Sequence, residues 1–497
     1  MTHAAGDFAS RFEPAIEDVD GHAVHQFRGI QYGTVAARFA EPEAVLYKES
    51  TLKVDCTKFG PICPQVSIDF HHLLRVPKTI QLQESPVAQD EFGCLNLDIT
   101  APATIPRKLP VLIWIHGGSQ AMTFMPASSP CADVVPFVAN SIKQDEPLIV
   151  VFVNYRLSIF AFGNGKGSKN LALKDQRVAI DWVVKHIDSF GGDPNNITLA
   201  GESAGAVYVH AHVLTGSPVQ RAILQSGSLY LSQPQNFAKG DMLCEKLDKI
   251  LRPDDLASAS VPKVLSALEE ANVVSLWLQL TPELEGWETQ PSHVQEFLIG
   301  DVEFESAIWR SGVGDLNPSE ITSYFDSTGE YAEELKRVYN IVEDRYASCT
   351  LGALDFINDT RFSYPVMRMV EELRARGATV YNYVFDEPNP WQASARAHHA
   401  VELVLLFGRI DWTEKPAAAE TQQQIRDRWS LFCGGKAPWK QDRVYAFGPH
   451  GRCGIISQLE YSNRRRVDAC KLLEKMGAKE YDALCARLAA GRISLLN

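Results

Sequence analysis

The hydrophobic positions of this chain follow three patterns. Short continuous apolar runs recur at 111–115 (Val-Leu-Ile-Trp-Ile), 148–153, 197–200 and 222–225. Runs of this kind mark strands buried on both faces, as in a parallel sheet. Between the second and third runs, Ala179, Ile180, Val183, Ile187 and Phe190 recur every three or four residues. That period predicts an amphipathic helix over 175–190, stopped by Gly191-Gly192-Asp193-Pro194. Residues 22–42 and 91–99 instead alternate apolar and polar, the pattern of short strands with one wet face.

Further strands are predicted at 297–300, 379–385 and 444–447, and helix at 422–432. The stretches 231–291 and 310–375 read as helical and polar, and are taken as insertions over the sheet. Strands alternating with helices predict an α/β protein: a mainly parallel central sheet flanked by helices, with a small N-terminal antiparallel sheet. Repeats, low-complexity segments and linkers are absent from the sequence, which predicts one domain over 1–497.

The run at 197–200 leads without a spacer into Gly201-Glu202-Ser203-Ala204-Gly205, followed by small and apolar residues typical of a buried helix. A strand that turns into a helix through Gly-x-Ser-x-Gly is a nucleophile elbow. The glycines permit the sharp turn, and the turn lifts Ser203 above the sheet edge with the Ala204 N–H facing the same space. A serine hydroxyl attacks only when a base takes its proton, and that base needs an orienting carboxylate. Downstream of Ser203, the acids at a strand end are Asp301, Glu303 and Glu305, and the histidines in a loop are the adjacent His398 and His399. The residues alone do not choose among them.

Composition narrows the partners. A formal net charge of −13 makes nucleic acid and anionic membranes poor targets, and no apolar run is long enough to span a bilayer. The ten cysteines show no metal-type CxxC pair, and residues 1–22 contain acids and no apolar secretory core. The expectation is a cytoplasmic protein with reduced thiols, in which the sequons at Asn196 and Asn358 stay unmodified.

Ordered motifs then place the chain in a family. Phe27-Arg-Gly-Ile-Gln-Tyr32 with Arg38-Phe39, Phe59-Gly-Pro-Ile-Cys-Pro-Gln65, Asn154-Tyr-Arg-Leu157, Leu173-Lys-Asp-Gln176, Phe190-Gly-Gly-Asp-Pro194, the elbow and Leu224-Gln-Ser-Gly227 follow one another. In this order they resemble the type-B carboxylesterases, the family that also holds the cholinesterases. The resemblance implies an α/β-hydrolase fold and a serine hydrolase acting on small carboxylic esters, without metal, nucleotide or redox cofactor. Matched motif by motif, Ser203 falls on the nucleophile. Gly300-Asp-Val-Glu-Phe-Glu305 makes Glu305 the acid, and His399-Ala-Val-Glu402-Leu403 makes His399 the base. Asp301 and Glu303 then become a solvated strand end, and His398 a loop neighbour. His116-Gly117-Gly118-Ser119 falls on the oxyanion loop, with Gly118, Ser119 and Ala204 as amide donors.

The departures from the family pattern are specific. Ser119 stands where the family has a glycine, and Gln120 where it often has phenylalanine, which implies a more polar acyl wall. Glu202 lies where the family keeps a buried acid near the catalytic histidine. Glu91-Phe92-Gly93-Cys94-Leu95 stands where the family has SEDCL, whose glutamate pairs with the arginine of RF, so Arg38 loses its usual partner unless Glu91 reaches it. Cys63 and Cys94 match the family's first disulfide and are expected reduced here. The segments separating Ser203, Glu305 and His399 are short for the family, which implies trimmed insertions and an open mouth. An acyltransferase or lactonase would use the same residues, whereas a non-catalytic binding protein would be expected to lack the nucleophile.

Overall fold

The computed structural model describes residues 6–47, 53–80, 87–105 and 107–493. Within them the strands are β1 (Phe12–Val19), β2 (His22–Gln31), β3 (Gly33–Val35), β4 (Pro42–Ala44), β5 (Val54–Cys56), β6 (Asn96–Pro102) and β7 (Leu109–Ile115). They continue as β8 (Ile149–Val153), β9 (Gly192–Glu202), β10 (Arg221–Gln225), β11 (Glu296–Val302), β12 (Thr379–Phe385), β13 (Val444–Phe447) and β14 (Gly454–Ile456). One large sheet has the order β14-β13-β12-β11-β10-β9-β7-β8-β6-β2-β1-β5, and β3 and β4 form a separate small antiparallel pair. Pairing is parallel from β13 across to β8. The antiparallel strands β6, β2 and β1 extend the β8 side, so the N-terminal strands continue the central sheet.

Alternate residues of a strand face opposite sides, and both sides here are covered. On β7, Val111, Ile113 and Ile115 join a core with the helices Leu171–His186 and Ala204–Leu214. Leu112 and Trp114 join another core with the helices Val135–Lys143, Val401–Leu406 and Pro416–Cys433. Among the described residues no helix is long and apolar enough to cross a membrane.

Every strand predicted from an apolar run is present. The alternating stretch 91–99 is only partly a strand, because 90–93 form a turn in which Asp90 Oδ1 accepts from Phe92 N–H at 2.8 Å. Its strand half, β6, is buried along its whole length, because β2 and β8 flank it. The 231–291 stretch carries the helices Phe237–Leu251 and Val261–Glu270, and then continues as loop with a single turn at Pro282–Leu284. Helices at Gln458–Arg464, Val467–Met476 and Ala478–Ala489 were not marked by the pattern.

Two ion pairs tie distant segments to this frame. Buried Arg156 meets Asp175 through Nε and Nη2 at 2.9 and 2.6 Å, fixing the loop after β8 to the helix Leu171–His186. Glu91 does reach Arg38, in a bidentate pair of 2.6 and 2.8 Å. The same guanidinium donates to the carbonyls of Leu256 and Ala259. Cys63 and Cys94 are buried free thiols, as are most of the other cysteines.

Candidate active site

Parallel strands place their carboxyl ends on one edge, and the site is built there. At the end of β9 the chain reverses through Ser203, held at φ 55° and ψ −123°, directly before the helix Ala204–Leu214. This is sparsely populated backbone for a residue with a side chain. It is over-determined by its neighbours: Ser203 N–H donates to Gln225 O at 2.9 Å, and its carbonyl accepts from Val207 N–H. Gly205 passes so near β7 that a Cβ there would meet Ile115 O at 2.1 Å. A Cβ on Gly227 would meet Ser203 O at 2.4 Å. The two glycines therefore permit the contact that keeps the turn in place.

Glu305 follows β11 and is fully buried. Its Oε1 accepts from Val302 N–H at 2.9 Å, and its Oε2 accepts from His399 Nδ1–H at 2.5 Å. The loops carrying the two residues are joined through main chain: Phe304 N–H donates to Ala397 O at 2.8 Å, and Phe304 pairs with His398 as a parallel bridge. Phe362 packs edge-on against the His399 ring. Glu202 Oε1 lies 3.1 Å from His399 Nε2 yet has no hydrogen-bond partner, so the Nε2 axis points elsewhere. Ser203, Glu202 and His399 open onto one cavity, whose wall includes Gly118, Met122, Phe124 and Phe304.

Three carboxyls surround this imidazole. Burial alone would push His399 down, but the Glu202 and Glu305 charges outweigh it and hold the ring above its ordinary range. Burial pushes Glu202 up to about 7, against the pull of His399. Glu402, fully buried on the helix Val401–Leu406, is raised well above the carboxylate range by burial and then by Glu202 and Glu305. It lies directly behind the site, on the helix that follows His399. Its signal in the sequence was a single acid inside the apolar run Val-Glu-Leu-Val-Leu-Leu.

The remaining candidates sort by their partners. His398 Nε2 accepts from Asn389 Nδ2 at 2.9 Å and its Nδ1–H donates to His399 O at 3.0 Å. Burial lowers its pKa to about 4. With both nitrogens engaged it is a loop brace. Asp301 and Glu303 are not a solvated strand end, which corrects the sequence reading. Asp301 is buried against Arg465 Nε at 2.7 Å and accepts from Ser363 Oγ at 2.7 Å, and Glu303 pairs with Arg396 at 2.8 Å. A carboxylate at a sheet edge is drawn into an ion pair where later helices cover that edge.

In the loop after β7, Gly118, Ser119 and Gln120 all have positive φ, at 120°, 55° and 60°. Gly118 is obligatory, since a Cβ there would meet Met122 O at 2.1 Å. Ser119 takes the left-handed turn with its side chain present, and its carbonyl accepts from Leu276 N–H. Among the described residues no acceptor takes the N–H groups of Gly118, Ser119 or Ala204. Gly118 and Ser119 line the cavity; Gln120 does not, and its buried amide donates to Ser232 Oγ at 3.2 Å. The polar acyl wall expected from Gln120 is therefore not on the cavity surface. His116, at the loop's start, stacks on Tyr155, whose hydroxyl donates to His116 O at 2.6 Å.

The arrangement offers a strained serine, a histidine–carboxylate pair and uncommitted backbone N–H groups around one pocket. That combination suits acyl transfer from an ester. Comparison with known proteins agrees with the fold and with ester hydrolysis. The model of the carboxylesterase family matches residues 15–298 and 292–441. Lipase 3 of Yarrowia lipolytica is 30% identical over 486 residues, covering 92% of this chain and 94% of its own. The para-nitrobenzyl esterase of Bacillus subtilis is 29% identical, covering 82% and 83%. An inactive carboxylesterase-like protein, VdtD of Byssochlamys spectabilis, is 36% identical over 41% of this chain and 35% of its own. The chain belongs to the carboxylesterase family and is a carboxylic ester hydrolase of the α/β-hydrolase fold.

Proposed function

We propose that this protein hydrolyses small carboxylic esters through an acyl-enzyme on Ser203, with His399 as general base and acid and Glu305 as its orienting carboxylate. The contact between His399 Nδ1 and Glu305, beside a strained Ser203 on the same cavity, carries this reading. Ser203 Oγ bonds to the ester carbonyl carbon as His399 Nε2 takes its proton. The carbonyl oxygen becomes an oxyanion facing the N–H groups of Gly118, Ser119 and Ala204. Loss of one such donor costs about 3 kcal/mol of transition-state stabilisation. His399 then protonates the alkoxide as the C–O bond breaks, and the alcohol leaves. Water attacks the acyl-Ser203 ester with His399 again accepting the proton, releasing the acid and regenerating the serine. Glu305 holds the tautomer that leaves Nε2 free and stabilises the imidazolium.

A fluorophosphonate probe tests the assignment at once. Stoichiometric labelling of the wild type is expected, together with loss of label in Ser203→Ala and strongly slowed labelling in His399→Ala. No adduct on the wild type, or an equal adduct on Ser203→Ala, would overturn it. The test is pointed, since one relative is described as inactive.

A further inference from the structure

Two arginines stand on the wall of the Ser203 cavity and take no part in the steps above. Arg75 enters from the segment after the helix Phe70–Leu73, and Arg310 from the start of the short helix Arg310–Gly314. Among the described residues, no carboxylate or carbonyl partner takes either guanidinium. Arg38, Arg156, Arg396 and Arg465, by contrast, each sit on a carboxylate. The two feel each other: burial first, and then the Arg310 charge, lowers the Arg75 pKa, and Arg75 in turn acts on His398. Like charges facing a largely apolar cavity repel, and a bound anion relieves them.

The position of Arg75 is also fixed in advance. Its backbone is held in the left-handed region at φ 57°. The preceding carbonyl, Leu74 O, accepts from Asn389 Nδ2 at 2.7 Å, and the same amide nitrogen holds His398. The loop that presents Arg75 is thus anchored to the loop that presents His399. Of the acids, only Glu202 is on the described lining, and it lies beside His399. Away from Glu202 the charges on this otherwise largely apolar wall are the two guanidiniums, on a protein whose net charge is −13.

We propose that Arg75 and Arg310 form an anion subsite, and that the esters this enzyme selects carry a carboxylate or phosphate group beyond the scissile bond. The inference rests on the esterase reading of Ser203. Guanidinium forks match both oxyanions, and a partly desolvated site favours them over a solvated lysine.

Matched ester pairs test it. One pair is para-nitrophenyl hexanoate against the mono-para-nitrophenyl ester of adipic acid, which differ by a terminal carboxylate on the acyl side. The other is hexyl acetate against the same ester with a terminal carboxylate on its alcohol. A phosphonate in the favoured position separates phosphate from carboxylate recognition. In one pair the charged ester should be preferred in kcat/KM by about tenfold or more at low salt, with the preference shrinking as salt is added. The ratio of charged to neutral kcat/KM should fall about tenfold in Arg75→Gln and about threefold in the more exposed Arg310→Gln, with partial return in Arg75→Lys. Equal rates within both pairs, or a ratio that neither substitution moves, overturns the subsite. Calorimetric titration of Ser203→Ala with the uncleaved esters reads the same preference without turnover. Absent hydrolysis in the wild type with that binding preference intact would sink the acyl-enzyme reading and leave the subsite standing. Hydrolysis of neutral esters with no charge preference in either measurement would do the reverse.

Discussion

Glu202 sets the terms on which His399 works. An imidazole acts as a base only when neutral, and two carboxylates against a buried ring favour the charged form. Replacing Glu202 with Gln removes one negative charge while keeping the shape. The imidazolium is then less stabilised, so the His399 pKa falls and the acid limb of the pH profile of kcat/KM moves to lower pH. A limb that stays in place, measured with a neutral ester, would contradict this account. The same residue scale shows where sequence reasoning stopped. His398 and His399 are neighbours of one type, and only their partners, Asn389 for one and Glu305 for the other, give them different work. Those partners lie nine and ninety-four positions away, and no local pattern reports them. Arg75 was equally silent, since its meaning comes from Arg310 across the cavity.

At the scale of elements the elbow joins a strand to a helix at a spacing set by Gly205. Gly205→Ala places a methyl carbon against Ile115 O, where no flexible side chain can yield. The helix must then back away from β7. The expected loss is about 1–3 kcal/mol, seen as a lower urea midpoint, with slower fluorophosphonate labelling because Ser203 moves with the helix. An unchanged midpoint would mean the helix is not seated on β7 as described. The parallel strands were legible because burial on both faces leaves uninterrupted apolar runs. Residues 90–93 were not, because a turn capped by Asp90 mimics the alternation of a strand. The C-terminal helices were unmarked, their apolar positions being spread among charges that pair with distant segments.

Across the whole molecule, those charges serve as a clasp. Arg464, Arg465 and Arg466 are consecutive, and reach Asp386 after β12, Asp301 on β11 and Asp359 beside the helix Tyr346–Asn358. Removing Arg465 strands Asp301 as a buried charge, which costs about 3–5 kcal/mol. With its partner gone, Asp301 folds best protonated. The loss in Arg465→Ala should therefore be small below an aspartate's ordinary pKa of about 4 and grow as pH rises. Thermal unfolding at several pH values reads this directly, and adding Asp301→Asn should recover most of the loss at neutral pH. A deficit independent of pH would place the damage in packing. Closer to the pocket, the main-chain bridge between Phe304 and the 397–398 loop joins the Glu305 loop to the His399 loop across ninety-odd residues of sequence. For anyone building chimeras from this scaffold, the two loops form a single transplantable unit: a donor's Glu305 loop grafted without its His399 loop breaks the stitch, and specificity should be exchanged by moving both together.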